Sequence, residues 1–401
     1  MDLIPVAEAL QRLLEGVGPT RAERVPLAEA GGRTLASDLA ATRTQPPFSA
    51  SAMDGYAVRA GDLANIPCDL KVIGEAPAGH GFSGTVNSGE AVRIFTGAPL
   101  PQGADTILIQ ENAERAGDVM TAKQGAALGT YVRPAGLDFD KGDVLLKAGA
   151  ILDYRALALA AAMNHAQVSL RRRPRVAVLA TGDELVEPGE EPGPDQIVAS
   201  NQYGIAALVE ACGGEARRLG ISRDSQTEIA GHVREALSWN ADVLVTLGGA
   251  SVGDHDLVQA TLGNEGMELS FWRIAMRPGK PLMAGHLGPM RVLGLPGNPV
   301  SSLVCGHLFL RPLLAALLGR LEKAERQEQA ILAAPLAEND RRQDYLRARL
   351  HHDEAGVLVA TPFVQQDSSV LSCLAAADGL IVRAPHAPAL KAGDTVAVIR
   401  F

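Results

Sequence analysis

The residues whose types and spacing could do chemistry sit in five short loops between residues 181 and 299. The stretch 241–256, ADVLVTLGGASVGDHD, runs an apolar, β-branched segment straight into Gly248-Gly249 and then into Asp254 and Asp256. Such a segment suits a strand buried on both faces, and paired glycines open backbone conformations that a Cβ forbids. Ser251 and Gly253 keep the following turn small. Both acids fall where a helix should start at Leu257, beside its unsatisfied amides, although an Asp there is equally a simple cap. The other loops are 181–184 (TGDE), 220–224 (GISRD), 277–280 (RPGK) and 296–299 (PGNP).

Together these loops offer carboxylates from Asp183, Glu184, Asp224, Asp254 and Asp256, and cations from Arg277 and Lys280 with Arg273 nearby. In 296–302, Gly297 allows close backbone approach, Pro299 is the preferred first helical residue, and Ser301 and Ser302 offer hydroxyls in the first turn. A helix N-terminus so built binds anions. Glycine-rich amides and cations would hold phosphate or an oxyanion, while the acids could carry a magnesium ion or orient polar rings. The competing reading of Arg277 and Lys280 is surface ion pairing; two cations around Pro278-Gly279 favour a ligand role. No GxxxxGK[ST] or HExxH string is present, and His255 is left outside the catalytic set. On the residues alone the chemistry is a magnesium-assisted site for an anionic, phosphorylated small molecule.

What must position these loops is a parallel sheet. From Arg175 onward strand and helix patterns alternate at lengths that imply βαβ units, and ligands then sit at the carboxyl ends of the strands. Upstream, a short amphipathic helix (6–14) and a second helical stretch (27–39) precede a Pro-Pro break at 46–47. A β-rich region follows, holding the polar strings 49–56 and 93–99. There Asp54-Gly55 could be only a hairpin turn and Thr96 only a strand end. The acidic loop 136–143 lacks the ligand spacing of a calcium loop, and 152–163 reads as a helix packing back on the N-terminal ones. The basic run 171–175 reads as a solvated linker, 321–329 as an exposed charged helix, and the remainder as a small β-barrel or sandwich.

Composition sets the limits. The chain has 401 residues, 47% hydrophobic but only 4% aromatic, with 42 glycines, 24 prolines and a net charge of −9, which argues for several ordered domains and against nucleic-acid binding. Four scattered cysteines without a CxxC pair suit a reducing cytoplasm. The most apolar stretch, 300–318, is interrupted by Arg311-Pro312, so no membrane span or export signal is expected.

Six ordered strings, SAMDGYAV, RIFTGAP, ATGDEL, TLGGASVGDHD, MRPGKP and LPGNPVSS, resemble the molybdopterin molybdenumtransferase family of molybdenum-cofactor biosynthesis. A module of the animal scaffold protein gephyrin is similar. The resemblance implies a multidomain α/β plus β chain with four parts. These are a discontinuous helical domain (1–44 with 136–173), a β-rich inserted domain (45–135), a three-layer αβα molybdopterin-binding domain with a mostly parallel sheet (174–320), and a C-terminal small β-barrel (321–401). It further implies a homodimer with a shared active site, in which molybdate is inserted into adenylylated molybdopterin with Mg2+, releasing AMP.

By motif match, Asp54 and Thr96 would act from the partner chain, and Asp138 stands where the family has an important acid. Glu184, Asp224 and Asp256 would serve metal and adenylate binding or hydrolysis. Gly248, Gly249, Ser251, Arg273, Arg277, Lys280, Pro296, Gly297, Asn298, Pro299, Arg347 and Ser368 would line the substrate and molybdate pocket. Arg273 and Arg277 replace lysines common in the family, and the loop QDSS at 366–369 is less glycine-rich than usual. Partners implied are the molybdopterin adenylyltransferase and molybdoenzyme-maturation proteins. Two rival functions are a gephyrin-like peptide-binding scaffold and an ATP-dependent molybdopterin adenylyltransferase.

Overall fold

The computed structural model describes residues 3–248, 257–320 and 327–401. Its centre is a six-stranded sheet in the order Glu215–Ser222, Arg175–Thr181, Val243–Leu247, Met290–Leu295, Met283–Leu287, Glu268–Trp272. The first four strands pair in parallel, and Met283–Leu287 is antiparallel to both neighbours, so the loop after Glu268–Trp272 leaves at the same edge as the loops after the parallel strands. Strand alternation explains the layering. Val176, Val178, Val243, Val245 and Leu293 enter the core under Asn201–Ala211 and the helix from Pro299. Ala177, Leu179, Leu244 and Val292 enter the opposite core with residues of Gln226–Ser238 and Leu257–Asn264. Both faces are covered, giving the expected αβα layers.

The helix from Pro299 to Leu317 is long and apolar enough to cross a membrane by length and composition, but it is mostly buried within the protein. It runs through Pro312. Just before that proline the helix widens into a π-turn, Gly306–Leu310, with the Arg311 N–H bonded to the Gly306 carbonyl, which makes room for a residue that cannot donate.

At the C-terminus the strands Glu328–Leu332, Gln343–His352, Leu358–Pro362, Gly379–Arg383 and Thr395–Arg400 close into a barrel, because Gln343–His352 pairs with both Leu358–Pro362 and Gly379–Arg383. A short strand from the central region, Met276–Arg277, joins it in parallel at Gln343 and Asp344. The RPGK segment is therefore a hydrogen-bonded edge of the barrel as well as a loop of the sheet.

The β-rich region forms a second six-stranded sheet, ordered Thr106–Ile109, Gly55–Val58, Glu90–Ile94, Cys68–Ala76, Val119–Ala122, Ala113–Ala116. Residues on either side of it share one core, Val25, Leu35 and Leu39 with Phe139, Leu152, Met163 and Leu170, so the chain leaves this unit and returns to it. The N-terminal helix Val6–Leu14 packs elsewhere: Ala9 and Leu13 enter the central core. Burying Leu13 contributes about 2 kcal/mol toward holding that helix on the sheet domain.

Three local expectations change. The stretch 27–39 is not a helix: only Leu27–Glu29 makes a 3₁₀ turn, Gly32 adopts φ +71°, and Leu35 bridges Leu170. The basic run is not a solvated linker, since Arg171 ends the strand Gln167–Arg171, Arg175 starts the next, and Arg172 forms a bidentate pair with Asp242 at 2.7 and 3.0 Å. Of the charged connector 321–329, residues 321–326 lie outside the described residues, and Glu328 and Gln329 belong to a barrel strand.

Candidate active site

The carboxyl ends of the parallel strands open on a cleft of about 700 Å³, lined by Thr181, Gly182, Glu184, Asp224, Gly248, residues 197–202, Pro296, Gly297, Asn298, Pro299 and Ser369. Gly248 adopts φ +96°, and a Cβ there would lie 2.6 Å from the Thr181 carbonyl oxygen. The site thus needs a glycine where two paired strands end. Asp256, Gly249 and Ser251 from the sequence reading lie outside the described residues, as do Asp254 and His255.

Glu184 and Asp224 face the same cleft from adjacent strands. The Asp224 N–H donates to Asp183 Oδ1 at 3.2 Å, and Arg223 Nη1 donates to the Asp183 carbonyl at 2.7 Å, which fixes one loop against the other. Desolvation, reinforced by the charges of Asp183 and Glu184, raises the Asp224 carboxyl above its ordinary range. The Glu184 carboxylate folds over Gly182, where a Cβ would approach Oε2 to 2.4 Å.

On the facing side, the loop 296–299 and the barrel meet. Asn298 Nδ2 donates to Ser368 Oγ at 2.9 Å, and the Val300 N–H donates to the Ser368 carbonyl at 3.1 Å, so one first-turn amide of the helix is already engaged. Behind Ser368 lies Arg347, 1% exposed, whose Nη2 donates to the Asp367 carbonyl at 3.0 Å while Nε has no partner among the described residues. Burial lowers its pKa from the usual arginine range. Ser302 Oγ is likewise buried without a partner among the described residues.

The remaining cations are placed differently. Lys280 is exposed. Arg277 hydrogen bonds to Asp344 at the barrel edge, with Asp340 at 3.7 Å, and lines a separate pocket of about 400 Å³. Burial raises the Asp344 carboxyl in spite of that guanidinium. Arg273, at φ +77°, stacks over Trp272 at 4.7 Å, with Nε buried and without a partner among the described residues.

Asp54 and Thr96 pair with each other: the Thr96 N–H and hydroxyl both donate to Asp54 Oδ1 at 2.8 Å, holding that carboxyl below its usual range. The cleft lining includes neither residue, nor Asp138, whose loop is tied to Gln45. Phe48 and Met53, near Asp54 in sequence, are exposed.

Residues 197–202 form a wall of the cleft that no glycine or acid string in the sequence marks. Ser200 makes no side-chain cap bond, and Asn201 Nδ2 reaches the Gly297 carbonyl at 2.7 Å across the cleft. The neighbouring Ile197 and Val198 are exposed apolar residues paired to Leu185 and Val186. The glycine-spaced string GHGFSG at 79–84 leads into no helix, and GASVG at 249–253 lies outside the described residues. A larger cleft of about 920 Å³ opens at the opposite end of the sheet, but Arg172, Arg175 and Arg291 there are bound to Asp242, Glu215 and the Glu15 carbonyl.

Three family profiles match the chain in order: MoeA N-terminal region (domain I and II) over residues 4–164, probable molybdopterin binding domain over 177–316, and MoeA C-terminal region (domain IV) over 329–401. The Haemophilus influenzae protein named molybdopterin molybdenumtransferase is 35% identical over 402 residues, covering 100% of this chain and 99% of the relative. The Bacillus subtilis protein of the same name is 33% identical, covering 99% and 94%. A crystal structure of a molybdopterin biosynthesis MoeA protein from Pyrococcus horikoshii superposes with a TM-score of 0.86 at 32% identity, covering 100% of this chain and 99% of that one. The chain belongs to the molybdopterin molybdenumtransferase family.

Proposed function

We propose that the chain is a transferase of molybdenum-cofactor biosynthesis that inserts molybdate into adenylylated molybdopterin and releases AMP. The observation that carries this is the junction at Ser368. There a barrel loop backed by a buried, incompletely paired Arg347 closes on the N-terminal turn of the Pro299 helix and lines, through Ser369, a cleft that also carries Glu184 and Asp224. Guanidinium, hydroxyl and helix amides suit a tetrahedral oxyanion. Molybdate is substrate here.

The acidic side fits a magnesium ion in its donor chemistry: hard carboxylate oxygens, crowded enough that Asp224 resists ionisation, of the kind that hold Mg2+ with one or two carboxylates plus substrate phosphates. Glu184 and Asp224 would hold it, with Asp256 from the sequence reading as a further ligand, and the ion would neutralise phosphate charge as the anhydride is cleaved. Arg347, Ser368 and Lys280 would orient the oxyanion, and Gly248 and Gly297 would admit the phosphates at close range.

Asp54 and Thr96 enter this reading from a second protomer. They are pre-paired beside an exposed apolar rim and absent from the lining of their own chain's cleft, which supports a homodimer with shared sites. Four free cysteines agree with a reducing, cytoplasmic setting. The test is AMP release by purified protein from adenylylated molybdopterin with magnesium, with and without molybdate. Molybdate-dependent release is expected. Consumption of ATP with free molybdopterin, or no release from a folded dimer, would overturn the assignment.

A further inference from the structure

Gln202 is fully buried in the first turn of Asn201–Ala211 and lines the cleft, yet its Oε1 has no hydrogen-bond partner among the described residues. Its orientation is not free. Nε2 donates to Glu187 Oε1 at 3.0 Å, and Tyr203 Oη donates to Glu187 Oε2 at 2.9 Å, so both oxygens of that carboxylate are engaged. Arg218 lies over the Tyr203 ring at 4.1 Å and restrains it. An ionised carboxylate only accepts, so the amide nitrogen must face Glu187 and the carbonyl must face away. The result is a buried acceptor of fixed direction in the wall of a ligand cleft. A buried acceptor left unpaired is costly, and a ligand N–H that meets it is favoured over an isosteric carbonyl that cannot.

The same wall carries exposed Ile197 and Val198, with Leu185 beside them, which suit the face of a planar ring. The anion-binding features lie across the cleft at 296–299. We propose that Gln202 reads the exocyclic amine of a heteroaromatic ring in the bound substrate, and that Glu187 is the positioning residue that sets its direction. This rests on the function proposed above, whose substrate offers such an amine in two places, the adenine and the pterin.

Equilibrium binding of two pairs of probes separates those sources: AMP against inosine monophosphate, and pterin against lumazine, each pair exchanging an amine for a carbonyl. Wild-type protein should favour the amine in one pair by about 10-fold, the factor one good hydrogen bond supplies. Gln202→Leu should bring that ratio to about one. Glu187→Gln can donate as well as accept, so the Gln202 amide can turn over; the ratio should fall because the carbonyl probe binds better, an effect loss of structure does not produce. Equal binding within both pairs by wild type, or an unchanged ratio in Gln202→Leu, overturns the inference while leaving the transferase reading intact. Failure of wild type to bind any of the four probes overturns both.

Discussion

Two glycines of the cleft should respond very differently to the same substitution. Gly248 holds φ +96°, a conformation that costs an L-residue about 1–2 kcal/mol, and its Cβ would stand 2.6 Å from the Thr181 carbonyl oxygen and 3.2 Å from Thr181 Oγ1. That carbonyl cannot retreat freely, because Ala180 and Leu247 are the last register partners of two central parallel strands. Conformational strain and overpacking together put Gly248→Ala at about 2–4 kcal/mol of lost stability, a fall in Tm of roughly 5–12 °C for a unit of this size. Gly297 is different. Among the described residues its Cβ would meet only the Gly248 Cα at 3.7 Å, an ordinary contact, with no left-handed φ. Gly297→Ala should therefore stay within about 0.5 kcal/mol of wild type.

Thermal and denaturant unfolding of both variants measure this directly. Among the described residues nothing crowds a side chain at 297, so the predicted cost falls on close approach of the ligand: Gly297→Ala should weaken binding of the anionic substrate while folding normally. An unchanged Tm for Gly248→Ala, or equal destabilisation by the two changes, refutes the reasoning.

Asp224 should be a residue where function opposes stability. Its carboxyl is raised in the folded protein, so the folded state binds that proton more tightly than the unfolded one; stability is lost as pH rises from the ordinary value near 3.8 through the raised folded value. Asp224→Asn should raise Tm at neutral pH, the gain vanishing on acidification below about pH 4, while AMP release falls by at least about 100-fold. A variant less stable than wild type at pH 7 contradicts the electrostatic account. If Asp54 serves the cleft of a second protomer, mixing refolded Asp54→Ala and Asp224→Ala chains should restore about a quarter of wild-type sites, since half the dimers pair unlike chains and each of those holds one intact site. Mixtures as inactive as either variant would place both residues in one chain's cleft.

Much of the architecture was legible because it depends on periodicity. Val176–Val178 and Val243–Val245 alternate between two buried faces, and a sheet covered on both sides leaves no other arrangement for such runs. The 27–39 stretch misled for a physical reason: its apolar spacing suited a helix, but the partners for its backbone, Leu170 among them, come from more than a hundred residues later. The same holds for Arg172, whose carboxylate partner Asp242 is distant in sequence. Patterning reports which residues are buried, and it is silent on what long-range pairing does to them.

The cleft shows that distinction most sharply. Glycine, proline and acid strings mark the loops proposed to bind phosphate, because backbone chemistry demands those residue types. Gln202 carries no such mark. A glutamine in a first helical turn reads as solvated surface, and only the fold brings Glu187 against its nitrogen and leaves its buried oxygen without a partner among the described residues. Phosphate recognition is therefore visible in sequence wherever amides at helix starts do the binding, whereas ring recognition by a side chain depends on which atom a neighbour has already taken. If the AMP and inosine monophosphate pair separates on Gln202 and Glu187, residue identity at those two positions becomes the variable that tunes ring preference, independent of the loops that define the family.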